Sequence, residues 1–149
     1  MRVRDDARAG GLQATTIVLT FELPAGASAP SLARACLSAA AEELTSDEHV
    51  AEDLLLLTTE LVTNAIQHSG VRPGEDIILR VDREEAIRVE VLDTGPGFSP
   101  ASPRSPWGAS PGWGLRLIDG LAKAWGVERE GARTKVWFEL EPGVGPSAP

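Results

Sequence analysis

The sequence predicts an α+β fold, a two-layer sandwich in which helices pack on one face of a mostly antiparallel, mixed β-sheet. The order of periodic segments is strand, helix, helix, strand, strand, loop, helix, strand, strand, which does not alternate as a chain of βαβ units would. Neighbouring strand segments alternate apolar and charged residues, as antiparallel strands with one wet face do. The 149 residues, 42% of them hydrophobic, suit one domain with a single core.

One strand and two helices are predicted in the first half of this domain. Residues 15–23 are rich in β-branched and apolar side chains, which favours a strand. After Pro30, apolar residues recur at helical spacing and predict a first amphipathic helix. A second helix is predicted from Ser46, which would be its N-cap, to about Gly70, which would end it.

The second half is predicted to contain two strand pairs separated by a loop and a helix. Residues 99–111 contain too many prolines for a helix or a central strand. We interpret them as a lid, because a loop of this length is uncommon in a compact domain unless it covers a site. A third helix is predicted from Gly112 to about Trp125. The strands are predicted over residues 76–82, 86–93, 124–129 and 134–141.

Composition and charge set the boundaries and exclude several functions. Residues 1–14 are predicted to be a flexible tail and residues 142–149 a disordered one, around a domain over 15–141. One cysteine excludes an internal disulfide, and no segment approaches the roughly 20 apolar residues of a membrane span, so we expect a cytoplasmic protein. The formal net charge of −8 argues against direct nucleic-acid binding, because phosphate backbones require clustered Lys and Arg.

An acid and an amide in the second helix are suited to a magnesium nucleotide. Glu60 and Asn64 are four positions apart, so a helix stacks their side chains on one face. One carboxylate and one carbonyl oxygen then point into the same space. Taken alone, the pair is also explained as two ordinary exposed helix residues.

Two glycine-rich segments complete the pattern. Asp93, Gly95 and Gly97 lie where a predicted strand ends, although this spacing alone also describes many turns. Gly112 and Gly114 open the third predicted helix, whose free N–H groups can bind phosphate oxygens.

Together these motifs resemble those of the Bergerat-type ATP-binding superfamily of gyrases, heat-shock chaperones, mismatch-repair ATPases and histidine kinases. Within it the resemblance is to the small bacterial anti-sigma regulatory factors that are serine/threonine kinases, and it covers about residues 17–140. The resemblance implies the Bergerat ATP-binding fold, with ATP and Mg²⁺ as ligands.

It also implies a role for each motif residue. Asn64 would coordinate Mg²⁺ through its carbonyl oxygen, and Glu60 would be the general base. Asp93 would accept a hydrogen bond from the exocyclic amine of adenine, and Thr134 would join it through a shared water. Thr134 is nearly as well explained as a strand-forming residue. The remaining nucleotide contacts would come from Gly95, Gly97, Gly112, Gly114 and Leu115.

Several further residues are open to two interpretations. Arg104 and Arg116 are the cations available to the phosphates, and both are also explained as solvated surface residues. Arg34 matches an arginine that meets protein partners in the resembling kinases. Trp113 stands where a small, basic or Met residue is expected, so it would close over the site or mark a partner surface. His68 is interpreted as a hydrogen-bonded structural residue.

The resemblance implies a switch kinase that phosphorylates a serine or threonine of an anti-anti-sigma antagonist and alternately sequesters a sigma factor, with a homodimer compatible with the family. The alternative is a catalytically weak, nucleotide-sensing binding module that docks on another regulatory protein. A histidine kinase catalytic domain is less favoured, because no acceptor helix is visible before the nucleotide motifs.

Overall fold

The computed structural model describes residues 3–5, 16–68, 71–94 and 113–143, which form six strands and three helices. In chain order these are β1 (Val3–Asp5), β2 (Ile17–Pro24), α1 (Ala29–Leu44), α2 (Glu48–His68), β3 (Asp76–Arg83), β4 (Ile87–Asp93), α3 (Trp113–Leu121), β5 (Ala124–Glu130) and β6 (Arg133–Leu140).

The strands form one sheet in the order β1-β2-β3-β4-β6-β5. Each pairing among the described strands is antiparallel. After β4 the chain crosses through α3 to the far edge of the sheet, and β6 returns to lie between β5 and β4. The predicted fold class is confirmed.

The core lies between one face of the sheet and the helices. Alternate residues of β6 are buried, and the same period applies to β2 and β3, as strands with one covered face require. α1 and α2 pack against each other, and α2 also packs against α3, β4 and β6. Its buried stripe follows steps of three and four residues and includes Leu54, Leu57, Leu61 and Ala65.

The N-cap of α2 differs from the prediction. The Asp47 carboxylate accepts hydrogen bonds from the backbone N–H of His49 at 2.9 Å and of Val50 at 3.3 Å. These are the bonds of a capping side chain, so the prediction of Ser46 as the N-cap was wrong by one residue. The Thr45 hydroxyl oxygen also accepts from the backbone N–H of Asp47 at 3.0 Å, which fixes the turn before the helix.

Both chain ends contain structure where tails were predicted. β1 lies within residues 1–14 and pairs with β2. After β6, the carbonyl of Pro142 accepts a hydrogen bond from the buried Thr45 hydroxyl at 2.5 Å. Gly143, with φ +79°, lies so close to Asp47 that an added Cβ would be 2.6 Å from its side chain. The described part of the C-terminal segment is therefore docked on the α1–α2 connection.

The third helix is shorter than predicted, because α3 ends at Leu121 and Trp125 already belongs to β5. The indole N–H of Trp125 donates to the Asp119 carboxylate at 3.1 Å, which ties β5 back to α3. Among the described helices, none is long and apolar enough to cross a membrane.

The face of the sheet opposite the helices, which we call the open face, is covered by charged side chains. At its centre, Glu90 is only 8% exposed and lies 3.4 Å from Arg80, 3.0 Å from Arg88 and 3.5 Å from Lys135. These cations also pair with Glu130, Glu139 and Glu128, respectively.

An aromatic stack adjoins this network. Arg88 Cζ lies 4.0 Å from the ring centroid of Trp137, within cation–π distance. Gly126 is the residue opposite Trp137 on β5, and a Cβ there would lie 3.0 Å from three atoms of the indole. Glycine therefore allows the ring to lie flat on the neighbouring strand.

Candidate functional site

Glu60 and Asn64 lie one turn apart on α2, at the edge of its buried stripe. Both side chains are half-buried, whereas the adjacent Leu61 is 2% exposed. Beside this pair, on the side away from Leu61, the hydroxyls of Thr59 and Thr63 donate to backbone carbonyls four residues earlier, at 2.7 and 2.8 Å. Those threonines are therefore satisfied by the helix itself.

The Asn64 amide is different from these hydroxyls. Its nitrogen Nδ2 is buried and makes no hydrogen bond within the described part of the chain. A buried amide donor without a partner costs about 1–3 kcal/mol, so its position favours a site that receives a polar group from outside the chain. Because amide oxygen and nitrogen have nearly the same shape, either end can be presented to such a group.

Asp93 ends β4 on the face of the sheet that the helices cover. Its side chain is 1% exposed, and Thr134 of β6, directly opposite, is also 1% exposed. The other positions on this face are apolar in both strands: Ile87, Val89 and Val91 on β4, and Val136, Phe138 and Leu140 on β6. A buried carboxylate and a buried hydroxyl at the end of an otherwise apolar surface need hydrogen-bond partners, so this end of the sheet is suited to binding a polar group.

A third polar residue extends this row, and sequence reasoning missed it. Arg129 is opposite Thr134 on β5, and its Nη1 donates to Thr134 Oγ1 at 2.9 Å. The two-residue turn between β5 and β6, with Gly131 at φ +62°, fixes that register. The turn was visible in the sequence, but the pairing of 129 with 134 depends on a turn of only two residues, Gly131 and Ala132.

The backbone just after Asp93 is tied to a neighbouring turn. Thr94 Oγ1 donates to Glu75 Oε2 at 3.0 Å, and the backbone N–H of Arg72 donates to the same oxygen at 3.0 Å. The Arg72 N–H, followed by the Thr94 hydroxyl, lowers the pKa of the exposed Glu75 carboxyl. No sequence pattern indicated this link.

The elements that carry the predicted residues are neighbours, since α2 packs against α3, β4 and β6. Gly114 and Leu115 belong to the first turn of α3, and Arg116 is exposed there. Arg34 is exposed on α1. The predicted roles of these residues stay predictions. Outside the described residues lie Gly95, Gly97, Arg104, Gly112, the lid over residues 99–111 and the side chains of His68 and Trp113.

The donor set fits magnesium only if a ligand completes it. Within the described residues there is no group of three His, Cys, Asp or Glu side chains that could hold a metal. Mg²⁺ is commonly held by one or two protein oxygens together with phosphate oxygens and waters, so Asn64 suits a magnesium–phosphate complex rather than a free ion.

Comparison with known proteins agrees with this arrangement. A family model described as a histidine kinase-like ATPase domain matches residues 23–140. An uncharacterized protein of Streptomyces coelicolor is 38% identical over 83 residues, covering 54% of this chain and 78% of that protein. Serine-protein kinase RsbW of Listeria monocytogenes is 32% identical over 82 residues, covering 54% of this chain and 52%, or about half, of RsbW.

A solved structure has the same fold. It contains the RsbU and RsbW domains of a Mycobacterium tuberculosis protein, with a TM-score of 0.64 and 20% identity, and covers 83% of this chain and 32% of that chain. Because the family model matches most of the chain, ATP binding is implied and the predicted resemblance to Bergerat-fold, anti-sigma kinase-like proteins is confirmed: the chain belongs to the histidine kinase-like ATPase domain family.

Proposed function

We propose that this chain is a protein serine/threonine kinase that binds Mg-ATP between α2 and the Asp93 end of the sheet. The observation that carries the proposal is the half-buried pair on α2, in which the unpaired Asn64 amide lies one turn from the Glu60 carboxylate. Family membership and the similarity to a serine-protein kinase support the same function.

The adenine would be read at the sheet and the phosphates at the two helices. Asp93 would accept a hydrogen bond from the exocyclic amine, with Thr134 joined through a water, while Gly95 and Gly97 let the backbone approach the base. The backbone N–H groups of Gly112, Gly114 and Leu115 would bind phosphate oxygens without adding charge. Arg104 and Arg116 are the candidate cations for the same phosphates.

The transfer step needs a place for one proton. The substrate hydroxyl oxygen forms a bond to the γ-phosphorus, the bond from that phosphorus to the β-phosphate oxygen breaks, and ADP leaves. Glu60 would accept the hydroxyl proton or orient the attacking oxygen. Asn64 would hold a magnesium ion, which when bound would neutralise negative charge on the phosphates.

The protein substrate in this proposal is an anti-anti-sigma antagonist, and the competing partner is a sigma factor. Phosphorylation adds about two negative charges to a packed interface and would release the antagonist, which frees the kinase for the sigma factor. Arg34, exposed on α1, is a candidate contact for either protein.

Isothermal titration with ATP, with and without Mg²⁺, and transfer of labelled phosphate to candidate antagonists test the proposal. We expect Glu60→Gln to lower transfer about 10²- to 10⁴-fold while ATP affinity changes little. Glu52→Gln is the matched control, because Glu52 is an exposed acid on the same helix and should leave both measurements unchanged.

The other outcomes separate the alternatives. Asn64→Ala is expected to remove the magnesium dependence of ATP binding. ATP binding by the wild type without transfer to any antagonist would replace the kinase with the nucleotide-sensing module. Absence of ATP binding by the folded wild type would overturn both.

A further inference from the structure

Asp93, Thr134 and Arg129 form a cross-strand row at one end of the sheet. They are register partners on β4, β6 and β5, respectively, and their side chains are on the helix-facing side. The row therefore places a carboxylate, a hydroxyl and a guanidinium in sequence from the interior toward the exposed edge strand.

The contact between the last two has a defined polarity. A guanidinium only donates, so the 2.9 Å bond from Arg129 Nη1 occupies a lone pair of Thr134 Oγ1. A hydroxyl has one proton, and that proton must then point away from Arg129. The oxygen keeps a second lone pair, but without Arg129 the hydroxyl could also turn its proton to the side where Arg129 lies.

We infer that Arg129 is a positioning residue that fixes Thr134 as a hydrogen-bond donor and so makes the site select purines with an acceptor at N1. This inference rests on the proposed binding of ATP at Asp93. Thr134 would donate a hydrogen bond to the shared water. The water would then donate one hydrogen bond to Asp93 and one to the purine. Adenine N1 is an acceptor and is matched, whereas guanine N1 carries a hydrogen and is not.

The surroundings of Arg129 favour this role over a purely structural one. Arg129 is on the edge strand and is exposed, so its removal leaves no cavity in the core. Its neighbours Glu128 and Glu130 point to the open face, where they pair with Lys135 and Arg80. Arg129 instead bonds a 1%-exposed hydroxyl beside the proposed adenine site.

The test is titration of the whole chain with ATP, GTP and 1-deazaadenosine triphosphate, in which a C–H group replaces N1. We expect the wild type to bind ATP roughly three- to tenfold more tightly than the deaza analogue, the range of one neutral hydrogen bond. In Arg129→Met, which keeps an apolar stem but no donor, that ratio should fall toward one, and discrimination against GTP should fall by a similar factor.

Two further variants keep the test specific. Arg129→Lys retains a donor and should keep part of the ratio, whereas Thr134→Val should abolish it whether or not Arg129 is present. The matched control is Lys123→Met, which removes a cation just before the other end of β5, where Lys123 pairs with Glu141 at 2.7 Å. It should leave the ratio unchanged.

Each result is decisive. An unchanged ratio in Arg129→Met, with ATP still bound, overturns the role of Arg129 and leaves the proposed function intact, even if the melting temperature falls. A wild type that binds ATP and its deaza analogue equally overturns the inference as well. A wild type that binds none of the three nucleotides overturns the proposed function together with it.

Discussion

The two faces of the sheet use polar residues in opposite ways. On the face that the helices cover, the strand residues are apolar over the centre of the described sheet, with Arg83 at one end and the row of Asp93, Thr134 and Arg129 at the other. On the open face, acids and bases are spread over the centre of the sheet and pair with one another. Arg83 ties the sheet to α1, because its Nε donates to the Leu44 carbonyl at 2.8 Å. The row at the other end lies at the proposed nucleotide site, whereas the charged residues of the open face pair with one another.

Unpaired atoms alone do not separate the faces. Within the described residues, four buried polar atoms lack a hydrogen bond, two of them on α2 (Thr58 Oγ1 and Asn64 Nδ2) and two on the open face of β6 (Arg133 Nη1 and Trp137 Nε1). The indole N–H of Trp137 is near Glu128, whose pKa is lowered mainly by Lys135 and slightly by that N–H. What distinguishes Asn64 is the carboxylate one turn away.

The largest expected effect contrasts two neighbours on β6. Phe138→Ala should destabilise the protein by about 3–5 kcal/mol, because Phe138 is 0% exposed on the covered face and its removal leaves a cavity. Trp137→Ala, on the open face, should cost only about 1–2 kcal/mol, mainly the stack with Arg88. Urea unfolding followed by circular dichroism measures both, and equal costs would contradict the contrast.

An intermediate effect is expected from Glu90. Glu90→Ala removes the carboxylate that three cations share and should cost about 1–3 kcal/mol, less than the loss of a fully buried pair because the cations are partly solvated. The cost should shrink in 1 M salt. The control Glu130→Gln, at a 44% exposed partner of Arg80, should cost much less than Glu90→Ala, because water screens an exposed ion pair.

A Glu90→Ala variant as stable as the wild type at low salt would mean that the open-face ion pairs do not contribute to the stability of the fold. The contrast between the faces would then rest on the covered face alone. A cost that does not change with salt would point instead to lost packing around the Glu90 stem.

The sequence predicted those features of the two faces that depend on neighbouring residues along the chain, and missed those that depend on contacts between strands. Alternation over residues 86–93 predicted an antiparallel strand with Asp93 at its end, because strand period is a local property. It did not predict that Glu90 would be buried, since this depends partly on Arg80 and Lys135, which lie on two other strands. The Thr134–Arg129 bond was missed because it requires the register of the hairpin, which predicted boundaries alone do not fix.

The error at the start of α2 has a different cause. Ser46 and Asp47 are both good N-cap residues, and local preference alone does not choose between adjacent candidates. The choice was made by tertiary contacts, because Thr45 bonds both the Asp47 N–H and the carbonyl of Pro142 from the other end of the chain. The predicted site residues depended less on such contacts, since Glu60 and Asn64 share a face wherever the helix begins.

The smallest expected effect concerns Asp82 on the open face. The nearby cations do not fully offset the cost of its negative charge. Burial raises the pKa of the Asp82 carboxyl, and the negative charges of Glu90 and other acids raise it further against the opposing effect of Arg88. The folded state therefore binds this proton more tightly than the unfolded state does. Stability falls as pH rises from the unfolded pKa through the raised folded pKa, and the full penalty persists at neutral pH.

Asp82→Asn removes this penalty and should stabilise the protein at pH 7 by on the order of 0.5 kcal/mol, since the site is partly solvated. Because the wild-type carboxyl is neutral below both pKa values, the gain should vanish in acid, so the two stability profiles converge as pH falls. Glu85→Gln, at an exposed acid nearby, controls for the change in net charge. A gain that is the same at pH 3 and pH 7 would show that the charge of Asp82 does not destabilise the folded state. The charges of the open face would then compensate one another at this position as well.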